Sequence, residues 1–304
     1  MWAASRGRVE EMNILVSHGA NPLVCSNLKA NILHAAVESK VDNGIAGVLA
    51  LWSELLDSLD INSIDRWVET PLHIACTSSA ACVKALLDAG ADVGRQEENG
   101  LVALHCLGLS GLGDSRREIV SLLCRSSCNT HINTQDLDGR PPIFNFLDDP
   151  HYVETLISHG ARLDLLDNDG KTVFHHVCEQ GRHEVLDTLL QRVRDPSVVD
   201  IKDNQGNTPL IGALENGNST CAIIMMGTST LNRSISRQGW TPVHYAARFG
   251  NVELLEAVFK APGFKGGAET YDGKRADIIA MEAGNWHDRV KDLIRRHDKG
   301  YQNN

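Results

Sequence analysis

The sequence contains no apolar run approaching the roughly 18 residues that a membrane-spanning helix needs, and no signal-peptide pattern. Membrane insertion is therefore not expected. A disulfide framework is missing as well. The cysteines are scattered without framework spacing, and Cys76, Cys82, Cys106, Cys124, Cys178 and Cys221 fall in apolar helical stretches. They read as reduced, small hydrophobes of a cytoplasmic or nuclear protein. On that reading the sequons Asn218-Ser219-Thr220 and Asn232-Arg233-Ser234 carry little weight. Positive charge is also short: Lys and Arg number 29 against 39 Asp and Glu, a net charge of −10. Such a balance repels phosphate backbones, argues against general nucleic-acid binding and favours a basic or neutral partner. No low-complexity tract or Pro/Ser-rich linker divides the chain, and only Asp298 to Asn304 reads as a polar tail.

Catalytic signatures are missing in the same way. Neither a G-x-S-x-G elbow nor a G-x-x-x-x-G-K-[ST] phosphate loop occurs. The near misses have simpler readings. Cys124, Cys128 and His131 lack zinc spacing, as do His175, His176, Cys178 and His183. His183-Glu184-Val185-Leu186-Asp187 begins like a zinc-peptidase helix but ends in aspartate, and its Val185 and Leu186 suit a helix core. Gly108-Leu109-Ser110-Gly111-Leu112-Gly113 has no strand before it and reads as an insertion between two helices. The expectation is no catalytic residue, no metal and no cofactor.

What is present is repetition. A short block ending in histidine recurs as Asn31-Ile32-Leu33-His34, Thr70-Pro71-Leu72-His73, Val102-Ala103-Leu104-His105, Thr172-Val173-Phe174-His175 and Thr241-Pro242-Val243-His244. Degenerate copies lie at Pro141-Pro142-Ile143-Phe144, Thr208-Pro209-Leu210-Ile211 and Arg275-Ala276-Asp277-Ile278, and Met1-Trp2-Ala3-Ala4 fits the end of one more. A second signal in phase with the first closes an apolar stretch on glycine, at His18-Gly19-Ala20-Asn21, Ala89-Gly90-Ala91-Asp92 and His159-Gly160-Ala161-Arg162. A period of one supersecondary unit means a stacked array, and stacked arrays serve mainly as binding surfaces.

Each element of the repeat has a physical reason. Thr70 and Thr241 cap a helix, and Pro71 and Pro242 occupy its first turn, where no amide donor is missed. Ala75, Cys76, Ala246 and Ala247 let neighbouring units approach closely. A second helix supplies the apolar stripe, as in Val83, Leu86 and Leu87 or Val185, Leu186, Leu189 and Leu190. Gly90 and Gly160 permit a left-handed end to that helix. Asp136-Leu137-Asp138-Gly139, Asp167-Asn168-Asp169-Gly170 and Asp203-Asn204-Gln205-Gly206 read as β-turns with glycine at positive φ.

The block resembles the T-P-L-H-x-A signature of ankyrin repeats, and the resemblance extends over essentially the whole chain. It implies an all-α solenoid of stacked helix pairs with β-turn or hairpin fingers. Nine units follow over residues 1–297: 1–25, 26–64, 65–96, 97–135, 136–166, 167–202, 203–235, 236–270 and 271–297, the first truncated and the last divergent. The repeated histidines are then turn fasteners. The resemblance further implies a non-enzymatic scaffold that binds another protein through the concave face of fingers and first helices.

The variable positions of that face are the candidate site. In the third unit they include Arg66, Trp67 and Glu69, with Val68 replacing the usual glycine; in the eighth they include Trp240, Arg248 and Phe249. Tryptophan and arginine dominate binding energies at interfaces, although each ring could instead pack over its neighbouring finger. In the middle units Asp138, Asp148, Asp149, Asp169, Glu179 and Glu215 fall on the same face, opposed only by Arg140 and Lys171. That stripe is expected to attract a basic partner segment.

Irregular units complete the sequence picture. The second is long, with a helical run from Ile45 to Leu59; the fourth carries the Gly111 to Ser115 insertion; the fifth has Phe146 and Leu147 where small residues are usual. Altered curvature is expected near residues 105 to 150. The first unit lacks a polar cap, which points to a larger parent protein, whereas Arg289, Lys291, Asp292, Arg295 and Arg296 interleave with Val290, Leu293 and Ile294 as a closing amphipathic helix. The chain is expected to be monomeric. Two other readings are a regulatory or targeting module of a larger enzyme or signalling protein, and a small-molecule site or enzyme built from His176, Glu179 and Glu215.

Overall fold

The computed structural model describes residues 1–38, 42–51, 59–108, 114–125, 129–228, 236–261, 264 and 266–297. Outside them lie residues 52–58 of the long run in the second unit, most of the Gly111 to Ser115 insertion, Cys128, Asn232 and the Asp298 to Asn304 tail. The described residues are helical, with no strand among them. The chain separates into two compact units, Met1–Phe146 with Glu154–Arg162, and Leu147–Val153 with Leu163–Asn304.

In the first unit, α1 (Val9–Ser17), α3 (Asp42–Leu51), α5 (Ala80–Asp88) and α7 (Asp114–Arg125) form an outer row. Beside it α2 (Ile32–Glu38), α4 (Pro71–Cys76) and α6 (Ala103–Gly108) form an inner row that continues into a 3-10 helix at Pro142–Phe146. A helix α8 (Pro150–Ser158) follows. The second unit repeats the plan: inner helices α9 (Val173–Glu179), α11 (Pro209–Glu215), α13 (Pro242–Phe249) and α15 (Ala276–Glu282) alternate with outer helices α10 (His183–Arg192), α12 (Ser219–Gly227), α14 (Val252–Lys260) and α16 (Asp288–His297). Within each compact unit the inner and outer helices pack on their hairpin mates and on the equivalent helices of the next pair, as α4 does on α5 and α6 and α11 on α12 and α13.

The sequence explains these elements locally. Proline stands in the first turn of α4, α11 and α13, after an extended threonine N-cap. Ala75, Cys76, Ala246 and Ala247 are fully buried between inner helices, and Val83, Leu86, Leu186 and Leu189 fill the space between the rows. In α16, Val290 and Ile294 are buried while Arg289, Arg295 and Arg296 face solvent. The fifth unit departs from the plan because Phe146 occupies a small-residue position. Its ring is buried, the Arg116 guanidinium lies 4.8 Å from its centroid, and the first element shrinks to the five-residue 3-10 helix.

Candidate interaction face

The fingers between helix pairs are built by one recurring device. A side-chain oxygen three residues before the turn glycine accepts backbone N–H groups two and four residues ahead. Asp136 Oδ1 takes Asp138 N at 2.9 Å and Arg140 N at 2.8 Å; Asp167 takes Asp169 N at 3.0 Å and Lys171 N at 2.8 Å; Asp203 takes Gln205 N and Asn207 N, both at 2.9 Å. Asp65 and Glu97 do the same, and Ser236 substitutes a hydroxyl. A main-chain bond closes each turn, as from Asp136 N to Arg140 O, and others join successive fingers, as from Leu137 N to Asn99 O and from Tyr271 N to Gln238 O. These carboxylates were visible in the sequence as turn residues. Their role was missed, although an oxygen-bearing residue always precedes the glycine by three.

Five histidines each tie one finger to the next. Nδ1 of His73 accepts from Thr70 N at 3.2 Å while Nε2 donates to Leu101 O of the following finger at 3.0 Å. His34, His105, His175 and His244 reach Glu69, Arg140, Asn207 and Ala268 carbonyls in the same way. The Thr-His pair also makes a reciprocal capping box at the start of α4, α9 and α13. These rings are neutral fasteners between units, and burial holds the pKa of His34, His73, His105 and His175 below the ordinary value.

On this framework the predicted site residues fall into distinct settings. Arg66 and Trp67 are exposed at a fingertip, with Trp67 at 47%. Val68 beside them has φ 64°. Glu69 is half-buried, and burial, then Asp65 and Glu97, push its carboxyl pKa up. The carboxylate stripe is largely engaged. Asp138 lies 3.7 Å from Arg140, Glu179 pairs with Lys171 at 2.7 Å, Asp149 caps α8 through His151 N at 2.9 Å, and Glu215 accepts the Tyr245 hydroxyl at 3.0 Å. Asp148 and Asp169 stay exposed. Burial of Lys171 opposes its charge, but the Glu179 bond outweighs that and raises its pKa.

Trp240 is not a free fingertip. Its ring lies 5.1 Å from Tyr245 and 6.3 Å from His244, with the Arg248 guanidinium 5.6 Å from its centroid. Arg248 also lies 5.8 Å from Phe249, which is 42% exposed. Burial, above all, pushes the Tyr245 hydroxyl up to about 12. Chain spacing alone gave no signal for Tyr245, which reaches the cluster from the buried side of α13.

The groups considered for chemistry do not converge. His176 Nε2 is 2.7 Å from Asp167, Glu179 is held by Lys171 and Glu215 by Tyr245, while both nitrogens of His175 serve the fastener. Among the described residues no three His, Cys, Asp or Glu side chains form a metal-binding group. A recess of about 170 Å³ is lined by Leu147, Asp148, Arg182, His183, Glu184 and Val185 and opens to solvent. Asn218, the first sequon, is committed to the Cys178 and Glu179 carbonyls at 2.9 and 2.7 Å. No described helix is long and apolar enough to cross a membrane.

Two rows of short helices, capped by repeated turns and fastened by buried histidines, define a helical repeat protein. The family profile described as "Ankyrin repeats (3 copies)" matches residues 45–136, 112–232 and 196–270, and the chain belongs to the ankyrin-repeat family, whose repeats are protein–protein interaction modules. Human transient receptor potential cation channel subfamily A member 1 is 26% identical over 204 residues, 66% of this chain and 18% of that protein. Human SH3 and multiple ankyrin repeat domains protein 2 is 31% identical over 110 residues, 36% of this chain and 6% of that protein. The chicken nuclear factor NF-kappa-B p105 subunit is 26% identical over 133 residues, 43% and 14% respectively. The chain thus spans less than a fifth of each of these relatives. The crystal structure of the Bcl-3 ankyrin repeat domain matches with a TM-score of 0.57 at 23% identity, covering 69% of this chain and 91% of that one, a likeness of fold.

Proposed function

We propose that this protein is a non-enzymatic scaffold that binds another protein through its fingers and inner helices, as a monomer in the cytoplasm or nucleus. The observation that carries the proposal is at the fingertips. Their backbone groups are satisfied internally by the finger-opening oxygens, yet Trp67, Leu137 and Tyr271 stand 47%, 70% and 76% exposed on them. A turn fixed in this way that displays large, exposed apolar side chains is preorganised for contact, which lowers the ordering cost of binding. Free thiols at Cys76, Cys82, Cys124, Cys178 and Cys221 suit a reducing compartment.

Affinity capture with the wild type beside a Trp67→Ala/Trp240→Ala variant tests this reading. Partners retained by the wild type and lost by a folded variant support it; identical capture by both would count against the finger face. A basic stretch of the partner would lie along Asp148 and Asp169. The Asp148→Lys/Asp169→Lys variant is expected to weaken a captured partner several-fold at low salt and less at high salt. Equal loss at both would remove the electrostatic part of the proposal.

A further inference from the structure

In the second unit the residue after the turn glycine reaches the residue eight positions on, in the last turn of the inner helix. Lys171 meets Glu179 at 2.7 Å, and Lys274 meets Glu282 at 2.7 Å. Each pair neutralises itself. In the eighth repeat the same two positions hold Trp240 and Arg248: an aromatic ring has replaced the lysine, and the cation has moved onto the helix. Arg248 makes no ion pair among the described residues, since its contacts are the Trp240 and Phe249 rings at 5.6 and 5.8 Å. Glu215, at the equivalent position in α11, is occupied by the Tyr245 hydroxyl at 3.0 Å.

A guanidinium held against two rings keeps its charge and loses much of its rotamer freedom. Its N–H edge stays available for a planar acceptor, and a carboxylate matches that fork with two parallel hydrogen bonds. Apolar surface lies on the same stretch: Phe249 is 42% exposed at the end of α13, and Met281 is 49% exposed on α15. We propose that Arg248, braced by Trp240 and Phe249, receives a carboxylate side chain of the partner polypeptide, with an apolar partner residue seated beside it on Phe249. This rests on the reading that the finger and inner-helix face binds a protein. It adds that the partner segment is acidic and apolar here, opposite in sign to the stretch expected along Asp148 and Asp169.

The probe is a displayed library of random dodecapeptides selected on the full chain, followed by affinity measurement on synthetic peptides. Expected winners pair Asp or Glu with Leu or Phe. Arg248→Ala should weaken them about 10-fold or more, Arg248→Lys should restore little because a point charge lacks the fork, and Phe249→Ala should weaken them several-fold. Exchanging the peptide's acid for its amide should cost as much as Arg248→Ala. Arg248 is exposed, and a thermal melt confirms that each variant is folded. Peptides that tolerate both the amide exchange and Arg248→Ala but fail on Trp67→Ala would overturn this inference while leaving the general reading standing. Enrichment of no sequence over a non-binding control would overturn both.

Discussion

At Val68 the backbone takes φ 64°, the left-handed conformation that Gly100, Gly139, Gly170, Gly206, Gly239 and Gly273 take at the same point of other fingers. A residue with a Cβ loses about 1–2 kcal/mol there, and a β-branched one has least freedom to relax. Glycine would return roughly 0.5–1 kcal/mol of that as chain entropy in the unfolded state. Val68→Gly should therefore stabilise the protein by about 1 kcal/mol, read as a higher urea midpoint at unchanged slope. A lower midpoint would mean that the valine side chain makes contacts worth more than the strain. The sequence exposed this position because the repeat predicts glycine there. It could not separate Trp67 from Trp240, two rings in fingers of one family: Trp67 stands in solvent, while Trp240 rests on Tyr245 and under Arg248. That difference depends on which side chains α13 turns toward the finger, not on spacing.

The fingers themselves behave as elements, each organised by one side-chain oxygen. Asp136 satisfies the Asp138 and Arg140 amides through one oxygen, and it leaves the Asp138 side chain exposed on a fixed turn. Asp136→Ala removes the oxygen that accepts both N–H groups and should cost about 1–3 kcal/mol, whereas Asp136→Asn keeps a side-chain oxygen and should recover most of it. Equal losses for the two substitutions in chemical denaturation would show that charge, not hydrogen bonding, holds the turn. Helix starts were legible because threonine and proline act locally, in the capping box and first turn of α4 and α13. The contraction of the fifth unit's first element to Pro142–Phe146 was not, because it depends on Phe146 and Arg116 meeting across two repeats. The acidic stripe was legible as composition but not as energy. Its charges are spent where Lys171 meets Glu179 and where Asp149 caps α8.

Across the whole molecule the repeat register was readable from the histidine blocks, whereas the division into two compact units was not, since no linker-like composition marks residues 147–162. The histidines give the array a shared pH dependence. Each buried ring accepts a backbone N–H at Nδ1, as His175 does from Thr172 at 3.0 Å and His105 from Val102 at 3.1 Å. A second ring proton would break that bond and place charge beside an amide. Burial accordingly lowers the folded pKa of His34, His73, His105 and His175 below the unfolded value of 6.5. Between those two values the unfolded chain binds more protons than the folded one, so stability rises with pH there. It is complete above pH 6.5 and is lost as pH falls from that value through the folded pKa. Each histidine contributes at most about 1.4 kcal/mol per pH unit within that interval, and the four slopes add as pH falls below 6.5, where most carboxylates are still ionised. Urea midpoints should be level from pH 8 to 7 and drop steeply below 6.5. His73→Gln should lower the midpoint at pH 7.5 and reduce the slope below 6.5 by about one proton's share. Midpoints that instead rise as pH falls to 5 would show that the rings hold their fingers in the charged form, and the assignment of Nδ1 as the acceptor of a backbone N–H would fail with them.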